Sequence, residues 1–442
     1  MNFENQRGFR ILEAILSSDR NGASVDIAPS ISDFDIYEHL DKPYLTATIV
    51  FLDMHGVMQL IDMQGIEKLS LKIESSTSKN VISKEFRLVK VLKSHKSNDR
   101  SELITFDAVE EHAYISNAIN VNRSYIGTPA SIISTVAKEH LAKEVLVTDT
   151  TYQGNMKVIV PNMNPIETIK WIQKRATNDY GLPYYAYSIL ADNNLRFSHL
   201  GTMLTQAPNN EERPYVYSQA PSKQGNALKE FFVIETYSQE QNENMFQLIK
   251  DGYSGARYHY YNTANGYPVN VDFDAKKDVF DELLRGNYLS KQQDDYSFPV
   301  GTKINGIPLN EKKTKVITRI ASSNMYNSSG DFKTYGEEID AEGYKKNICG
   351  HALKQYLTKS TISIGVRGAP YIANGHLTIG TTIRMKFFDS KVQVDRSNLE
   401  IGIDTKKSGD YIIYAAKHSF KTEKYDLNLL CTKIANYTGE NL

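Results

Sequence analysis

The stretch 380–434 reads GTTIRMKFFDSK, then a loop, then SGDYIIYAAKHSFKTEKYDLNLLCTKI. Between Ile383 and Phe387, apolar and polar residues alternate, which is the period-2 pattern of a strand with one solvated face. A short apolar run (411–416) and a second alternating segment (427–432) follow. Three strands in succession predict a meander or part of a small barrel.

A second set of three candidate strands lies nearer the N-terminus. It comprises GIEKLSLKI (65–73), EFRLVKVLKSH (85–95) and ELITFDAVEEH (102–112). The two sets match in order and in pattern, although their loops differ and their identity is slight. A duplicated β unit is therefore our first hypothesis, because a duplication would set the symmetry of the whole molecule.

Composition sets the outer limits. A chain of 442 residues predicts two to four domains. The formal net charge of −1 argues against a protein whose main task is to grip phosphate backbones. Without an 18-residue apolar run or a signal-peptide layout, we expect a soluble protein that does not use the general export route. Cys349 and Cys431 have no CxxC spacing, so we expect two thiols in a reducing cytoplasm.

The middle of the chain contains helix signals. Thr128-Pro129 predicts the start of a helix of about 14 residues, and Asn164-Pro165 predicts a second helix that reaches about Thr177. A β-hairpin follows, with its turn at residues 192–194. Two more helices are predicted at 275–285 and 342–359.

The predicted fold class is α+β, mainly β. We expect two related small β-barrel domains, an α+β domain between them and an irregular insertion. The predicted boundaries are 1–115 for the first barrel, 116–226 for the α+β domain, 227–262 with 341–436 for the second barrel, and 263–340 for the irregular insertion or extension.

Four short motifs carry a resemblance to a known family. The N-terminal region resembles the central hub subunit of contractile phage-tail baseplates, a family shared with the N-terminal part of type VI secretion spike proteins. In that family an acidic step, a P-x-L-T strand, a D-x-x-G turn and a G-x-E strand start recur in this order. Here they stand as Tyr37-Glu38, Pro43-Tyr44-Leu45-Thr46, Asp53-Met54-His55-Gly56 and Gly65-Ile66-Glu67.

The resemblance spans most of residues 30–435. The segment 156–187 is similar to the family's proline-led helix and aromatic strand, and Leu377–Gly380 is similar to the start of a strand in its second barrel. The segment 255–335 departs from the family pattern because it is longer and more irregular.

The resemblance implies a structural role without chemistry, cofactor or metal. Two related tube domains per chain would give six in a homotrimer, whose pseudo-sixfold face could meet a hexameric tail tube or tube initiator and whose threefold face could meet a trimeric central spike. Neighbouring baseplate wedge proteins are further expected partners, with DNA passing through transiently and without specific binding, and with no membrane partner. The implied location is the tail baseplate of a virion that is assembled in the host cytoplasm.

Two groups of residues are candidates for contact with partners. The polar strand face would line the channel or simply face solvent, and both interpretations remain open for Lys68, Ser70, Lys72, Arg384 and Lys386. A tyrosine cluster would form a subunit interface or reflect only the strand preference of tyrosine. Its members are Tyr253, Tyr258, Tyr260, Tyr261 and Tyr267.

Two alternatives to the phage hub remain. One is the hub part of a phage-derived injection or secretion machine. The other is a β-rich cell-wall polysaccharide hydrolase, although the sequence has no G-x-x-x-x-G-K-[ST], G-x-S-x-G or H-E-x-x-H motif. We interpret Glu110-Glu111-His112 as a strand end with solvated charge rather than a metal site.

Overall fold

The computed structural model describes most of the chain. The described residues are 9–75, 80–98, 100–148, 156–178, 180–217, 232–241, 245–262, 268–288, 303–311, 316–321, 341–368, 378–388, 403–421 and 424–436.

Strands dominate the described residues. The first twelve are β1 Phe9–Ser17, β2 Ser24–Asp26, β3 Ile31–His39, β4 Thr46–Asp53, β5 Lys68–Ser75, β6 Val81–Asn98, β7 Ser101–Glu110, β8 Ser124–Gly127, β9 Val145–Val147, β10 Met156–Ile159, β11 Tyr184–Ser188 and β12 Leu195–His199. The others are β13 Tyr215–Tyr217, β14 Val233–Ile234, β15 Thr236–Gln241, β16 Gly255–Asn262, β17 Pro268–Asp274, β18 Lys303–Ile304, β19 Ile307–Pro308, β20 Val316–Ala321, β21 Ser360–Arg367, β22 Thr382–Lys386, β23 Gly409–Lys421 and β24 Tyr425–Asn436.

The helices are mostly short. They are α1 Val57–Ile61, α2 Glu111–Ser116, α3 Pro129–Leu141, α4 Pro165–Gln173 and α5 Leu200–Thr205, followed by Met245–Lys250, Asp281–Arg285 and Ala341–Thr358. A π-helical segment, Lys276–Phe280, precedes the helix Asp281–Arg285, so the helix predicted at 275–285 is confirmed with a change of winding.

Fourteen strands form one sheet that falls into two parts with the same strand order. We call β1–β7 lobe 1, and β13–β15 with β21–β24 lobe 2. Lobe 1 has the order β3-β4-β7-β6-β5-β1-β2, and lobe 2 has the order β15-β21-β24-β23-β22-β13-β14. When the seven strands of each lobe are numbered from 1 to 7 along the chain, both orders read 3-4-7-6-5-1-2. The hypothesis of a duplicated β unit is therefore confirmed at the level of strand topology.

The duplication is closest in the first five strands of each order, which are β3-β4-β7-β6-β5 in lobe 1 and β15-β21-β24-β23-β22 in lobe 2. All of their pairings are antiparallel in both lobes. The outer pairings differ, because β1 runs antiparallel to β5 whereas β13 runs parallel to β22. The pairing does not close either lobe into a barrel among the described residues, so barrel closure stays a prediction.

A β-bulge marks the same position in both lobes. The register of β6 against β7 shifts between Leu88 and Lys90, and that of β23 against β24 shifts between Ile413 and Ala415. A bulge inserts one extra residue and bends the strand, so its repetition is a specific feature rather than a general property of sheets. Aligning these bulges, and following the pairings with β7 and β24 past the further bulges of each strand, gives equivalent positions, among them Leu69 with Ile383, Leu71 with Met385 and Phe106 with Leu429.

The two lobes are joined through β23. The first half of β23 pairs with β22 and its second half, Ala415–Lys421, pairs with Asp33–His39 of β3. Because β24 occupies the other edge along the whole length of β23, β22 and β3 follow each other on one edge. We call the pairing of β23 with β3 the junction.

Three hydrophobic cores lie in lobe 1, in lobe 2 and in the segment between them. The alternation quoted from lobe 1 is confirmed, since Leu69, Leu71 and Ile73 are buried. The helix predicted at 342–359 is present as Ala341–Thr358 and packs into the core of lobe 2, with Ile348 and Leu353 buried.

The α+β segment is built as its sequence predicts. The Thr128 side chain accepts a hydrogen bond from the Ser131 amide at 3.2 Å, and the Asn164 side chain accepts one from the Glu167 amide at 2.8 Å. These bonds satisfy amides that have no partner within the first helical turn. Helix α4 ends at Gln173, one turn earlier than predicted. Strands β11 and β12 form the predicted antiparallel hairpin.

Two parts of the predicted organisation differ from the structure. Strand β13 pairs with β22 of lobe 2, although it lies before the boundary we placed at 226. The segment 263–340 is not wholly irregular, because its strands β17 and β20 flank β16 in a three-stranded sheet. Clusters of Gly, Asn and Ser in this segment obscured the strands. Residues 245–250, which lie within the predicted second barrel, form a helix.

Candidate functional site

The junction buries a carboxylate at its centre. Glu38 of β3 is 1% exposed and accepts hydrogen bonds from the Leu190 amide and the Thr378 hydroxyl. Its Oε1 lies 3.3 Å from Nε2 of His418 in β23, and the other ring nitrogen of His418 lies 2.7 Å from the Tyr425 hydroxyl. Glu38 therefore connects both lobes and the β11–β12 hairpin.

The environment of Glu38 favours its charged form. Burial alone would raise the pKa of this carboxyl group. The charge of His418 and the hydrogen bonds from His418, Thr378 and Leu190 outweigh burial and hold the pKa of Glu38 below its usual value. A buried carboxylate with several donors is stable only while all of those donors stay in place, so Glu38 fixes the relative position of three elements.

The other acidic motif residues have a different, local role. Asp53 accepts hydrogen bonds from the amides of His55 at 3.0 Å and Val57 at 3.0 Å, around a turn in which Gly56 has φ = 71°. Glu67 accepts from the amides of Gln64 at 2.7 Å and Gly65 at 2.9 Å. Both carboxylates thus satisfy backbone donors at turns next to strands, which gives the D-x-x-G and G-x-E motifs a physical reason.

A second buried ionic cluster holds the tip of the β11–β12 hairpin. Lys84 of β6 is 2% exposed and donates to the carbonyl oxygens of Ile189, at 2.8 Å, and Asp192. Lys143 donates to the Asn193 carbonyl at 3.0 Å and to Glu110 at 2.9 Å. The hairpin tip is therefore clamped between lobe 1 and the α+β segment.

The structure corrects our interpretation of the segment Glu110-Glu111-His112. Glu110 is 3% exposed and His112 is 4% exposed, so these side chains are not solvated. Burial by itself would raise the pKa of Glu110, but the charges of His112, Lys84 and Lys143 and the hydrogen bond from Lys143 lower it. Only Glu111 lies near the surface, in an ion pair with Arg87. The buried partner Lys84 is distant in sequence, so spacing gave no signal for the cluster.

The face of the sheet opposite the cores is polar across the junction. Ser419, Asp35, Thr48 and Asp107 stand side by side on four adjacent strands. Lys417 pairs with Asp35 at 2.9 Å, and the Thr48 hydroxyl donates to Asp107 at 2.8 Å. We call this surface, which continues onto the corresponding faces of the neighbouring strands, the polar face.

Three of the candidate channel residues lie on the polar face of lobe 1. Lys68, Ser70 and Lys72 are partly exposed on β5. Lys68 pairs with Glu85 at 2.9 Å and Lys72 pairs with Glu13 at 2.7 Å. Their charges are thus largely compensated within the chain.

The two candidates in lobe 2 occupy equivalent positions but a different environment. Arg384 and Lys386 correspond to Ser70 and Lys72. The expectation of a solvated face on β22 is wrong for Arg384, which is 7% exposed and pairs with Asp410 at 2.7 Å. The reason is that the segment after α5 covers this face, where the Asn210 side chain bonds both backbone groups of Arg384.

The tyrosine cluster separates into core and surface. Tyr258 and Tyr260 belong to the core of lobe 2, so for these two the strand-former interpretation holds. Tyr253 packs against that core and Tyr261 is 50% exposed. Tyr267 lies outside the described residues. An interface role stays a prediction, for which Tyr261 is the accessible candidate among the described members.

The described residues form neither a metal-ion cluster nor a membrane-spanning helix. Among the described residues, no group of three or more His, Cys, Asp or Glu is placed to hold a metal ion. None of the helices in the described part of the chain has the length and apolar character needed to span a membrane. Cys349 and Cys431 are buried free thiols.

Comparison with solved structures identifies the fold. The chain is similar to a tail protein from Neisseria meningitidis MC58, with 11% identity, a TM-score of 0.52 and coverage of 96% of both chains. It is also similar to the 43 kDa tail protein of prophage MuSo2 from Shewanella oneidensis, with 8% identity, a TM-score of 0.54 and coverage of 95% of this chain and 98% of that one. A component of the E. coli type VI secretion system is a weaker likeness, with 8% identity, a TM-score of 0.42 and coverage of 98% and 77%.

The sequence itself gives no match. No protein-family model matches the chain. No curated protein matches it either. The fold assignment rests on the two tail proteins, which are matched over nearly their whole length. The chain therefore has the fold of phage tail proteins, and the resemblance to the baseplate hub family is confirmed at that level.

Proposed function

We propose that this chain is a structural hub protein of a contractile phage-tail baseplate, located in the virion and assembled in the host cytoplasm. Three copies form a ring of six similar lobes, which joins a trimeric central spike to a hexameric tail tube or its initiator. Neighbouring wedge proteins bind at the periphery. The observation that carries the proposal is the pair of topologically equivalent lobes in one continuous sheet.

The equivalent lobes supply what a threefold-to-sixfold adaptor requires. A homotrimer of single-lobed chains presents three equivalent surfaces, whereas two equivalent lobes per chain present six. The buried bonds at Glu38 and Lys84 hold the lobes and the hairpin in one arrangement. A rigid arrangement keeps the six lobes evenly spaced.

The polar face suits the wall of a channel through which DNA passes. Its charges alternate in sign and are paired, as in Lys417–Asp35 and Lys72–Glu13. Paired charges release few counterions from a phosphate backbone and therefore bind it weakly. DNA can then move along the wall without specific binding.

Two other roles give different outcomes in the same tests. A hub of a phage-derived injection or secretion machine would form the same ring without a DNA cargo. A cell-wall polysaccharide hydrolase would release soluble sugars from purified peptidoglycan. We propose that this chain has no such chemistry, and incubation of the purified protein with peptidoglycan tests this directly.

The decisive experiment is the solution mass by light scattering, followed by negative-stain images. The hub predicts about 150 kDa, three times the 50.0 kDa of one chain, and rings with a central hole. If the chain is a monomer, candidate spike and tube proteins are added, since the spike can template the trimer. A chain that remains monomeric with both partners contradicts the proposal.

A further inference from the structure

Within the described part of the chain, one edge of β6 has no partner strand, whereas the equivalent edge of β23 is covered. β5 pairs with β6 only as far as Arg87. From Lys90 to Lys96 this edge has no strand partner among the described residues, and Lys90, Lys93, Ser94, His95 and Lys96 are all exposed. In β23 the same edge is occupied by β3 at the junction.

Strand β15 of lobe 2 shows the complementary deficit. It is the equivalent of β3, and within the described part of the chain it pairs with β21 alone. Thr236, Ser238 and Glu240 on it are exposed. The described residues thus contain one junction already formed and, on β6 and β15, the two edges that a second junction would need.

We propose that β6 of one subunit pairs with β15 of the next, in the same antiparallel manner as β23 pairs with β3. This inference rests on the proposed function and names the strands that build the ring. Three junctions within chains would then alternate with three junctions between chains. The contact is heterologous, with different surfaces meeting head to tail, and such contacts close into rings when the rotation fits.

The equivalent positions fix the register of the second junction. Lys417 faces Tyr37 at the junction within the chain, and the corresponding positions are Lys93 and Glu240. In the same way, Ser419 facing Asp35 corresponds to His95 facing Ser238.

The charges of the two open edges are complementary. The β6 edge carries Lys90, Lys93 and Lys96, for which the described residues provide no ion-pair partner. The β15 edge offers Glu240 opposite Lys93. Opposite charges on directly facing residues of antiparallel strands stabilise the pairing, and like charges destabilise it. Leu92, 40% exposed, lies on the same open stretch.

A strand edge without a partner can pair with strands of other chains and so cause aggregation. Natural proteins protect such edges with lysines, bulges or a partner strand. β6 has both lysines and a second bulge between Val91 and Lys93, so it resists pairing with arbitrary strands. A partner that carries an acidic residue in the right register overcomes this protection, as in strand addition to an exposed sheet edge.

A charge swap in the full-length protein tests the pairing. Lys93→Glu and Glu240→Lys are each expected to shift the monomer–trimer midpoint at least fivefold to higher protein concentration, measured by light scattering. The double variant is expected to restore the midpoint to within twofold of wild type. Lys138→Glu, an equal change of charge on the exposed face of α3, is the control and is expected to leave the midpoint unchanged.

A disulfide test gives the register independently of stability. The double variant Lys93→Cys with Glu240→Cys is expected to give covalent dimers and trimers on mild oxidation, because facing Cα atoms in a strand pair lie within disulfide range. Lys72→Cys with Glu240→Cys is the matched control and should remain monomeric on a denaturing gel. The native thiols Cys349 and Cys431 are buried and should not contribute.

The outcomes separate this inference from the proposed function. Rings that form normally in every charge variant, with no cross-link between positions 93 and 240, overturn the β6–β15 pairing and leave the hub intact. A wild-type chain that forms no ring with spike and tube proteins overturns both.

Discussion

Strands β6 and β23 hold the same place in two copies of one unit, yet their second halves have opposite environments. In β23, His418 and Phe420 are 2% and 1% exposed because β3 and the core of lobe 1 cover them. In β6, the equivalent residues Ser94 and Lys96 are exposed. The common bulge shows that the two strands correspond up to Val91 and Ala416, and a further bulge of β6 between Val91 and Lys93 has no counterpart in β23. Beyond it, the two copies differ in whether a neighbouring strand lies beside them.

The comparison explains why the duplication is faint in sequence. Alternating apolar positions persist in both lobes because both have a core, and they were visible as a pattern. Residues at the junction differ between the copies, since in this chain they meet β3 in one copy and are exposed in the other.

The largest expected effect compares two equivalent positions with unlike burial, Phe420 in β23 and Lys96 in β6. Phe420 stacks on Phe34 and on Tyr425, each at 4.4 Å between ring centroids. Phe420→Ala should lower the free energy of unfolding by about 3–5 kcal/mol, since it leaves a cavity in a closed core. Lys96→Ala, at the equivalent position of β6, should change it by less than about 0.5 kcal/mol in the monomer. Urea denaturation measures the free energy of unfolding of both variants. Equal losses of stability would contradict the difference in burial between the two positions.

Much of this organisation was predictable, and the rest was not for identifiable reasons. Period-2 alternation predicted both sets of strands, and cap residues predicted α3 and α4, because these signals are local in sequence. The covered face of β22 and the buried Glu110 depend on residues far away in sequence, such as Asn210 and Lys84, which no local pattern reveals. Glu38 was found only through a motif resemblance, since its partner His418 is 380 positions later in the chain.

The second prediction concerns the carboxylate at the junction. Glu38→Gln should lower the free energy of unfolding by about 1–3 kcal/mol at pH 7, because the buried donors of Leu190, Thr378 and His418 lose a charged acceptor. Since the pKa of Glu38 is lowered in the fold, its contribution is complete above the usual value of 4.5 and is lost as the pH falls through the lower folded value. The difference between wild type and variant should therefore shrink in acid.

An exposed carboxylate provides the control for this measurement. Glu13 pairs with Lys72 at 2.7 Å, and both side chains are about two-fifths exposed. Glu13→Gln should change the free energy of unfolding by less than about 1 kcal/mol at pH 7, because the pair is exposed. A wild-type advantage over Glu38→Gln that grows below pH 4.5 would contradict the assigned direction of the pKa shift.

A further expected effect sharpens the comparison at one more pair of positions. Glu110 in β7 and Lys433 in β24 are equivalent and buried, but they carry opposite charges. Lys433 donates to the carbonyl oxygens of Thr405 and Lys406, and burial lowers its pKa to about 8, although Asp404 acts in the other direction.

Because the folded chain releases the Lys433 proton before the unfolded chain does, stability should rise between about pH 8 and 10.5. At about 1.4 kcal/mol per pKa unit, the difference between about 8 and 10.5 corresponds to a rise on the order of 3 kcal/mol. Lys433→Met should lack this rise, and Lys421→Met, at an exposed end of β23, should retain it. Wild type and Lys433→Met that follow the same alkaline profile would contradict the shift, and would mean that lobe 2 accommodates a buried ammonium as readily as lobe 1 accommodates the carboxylate of Glu110.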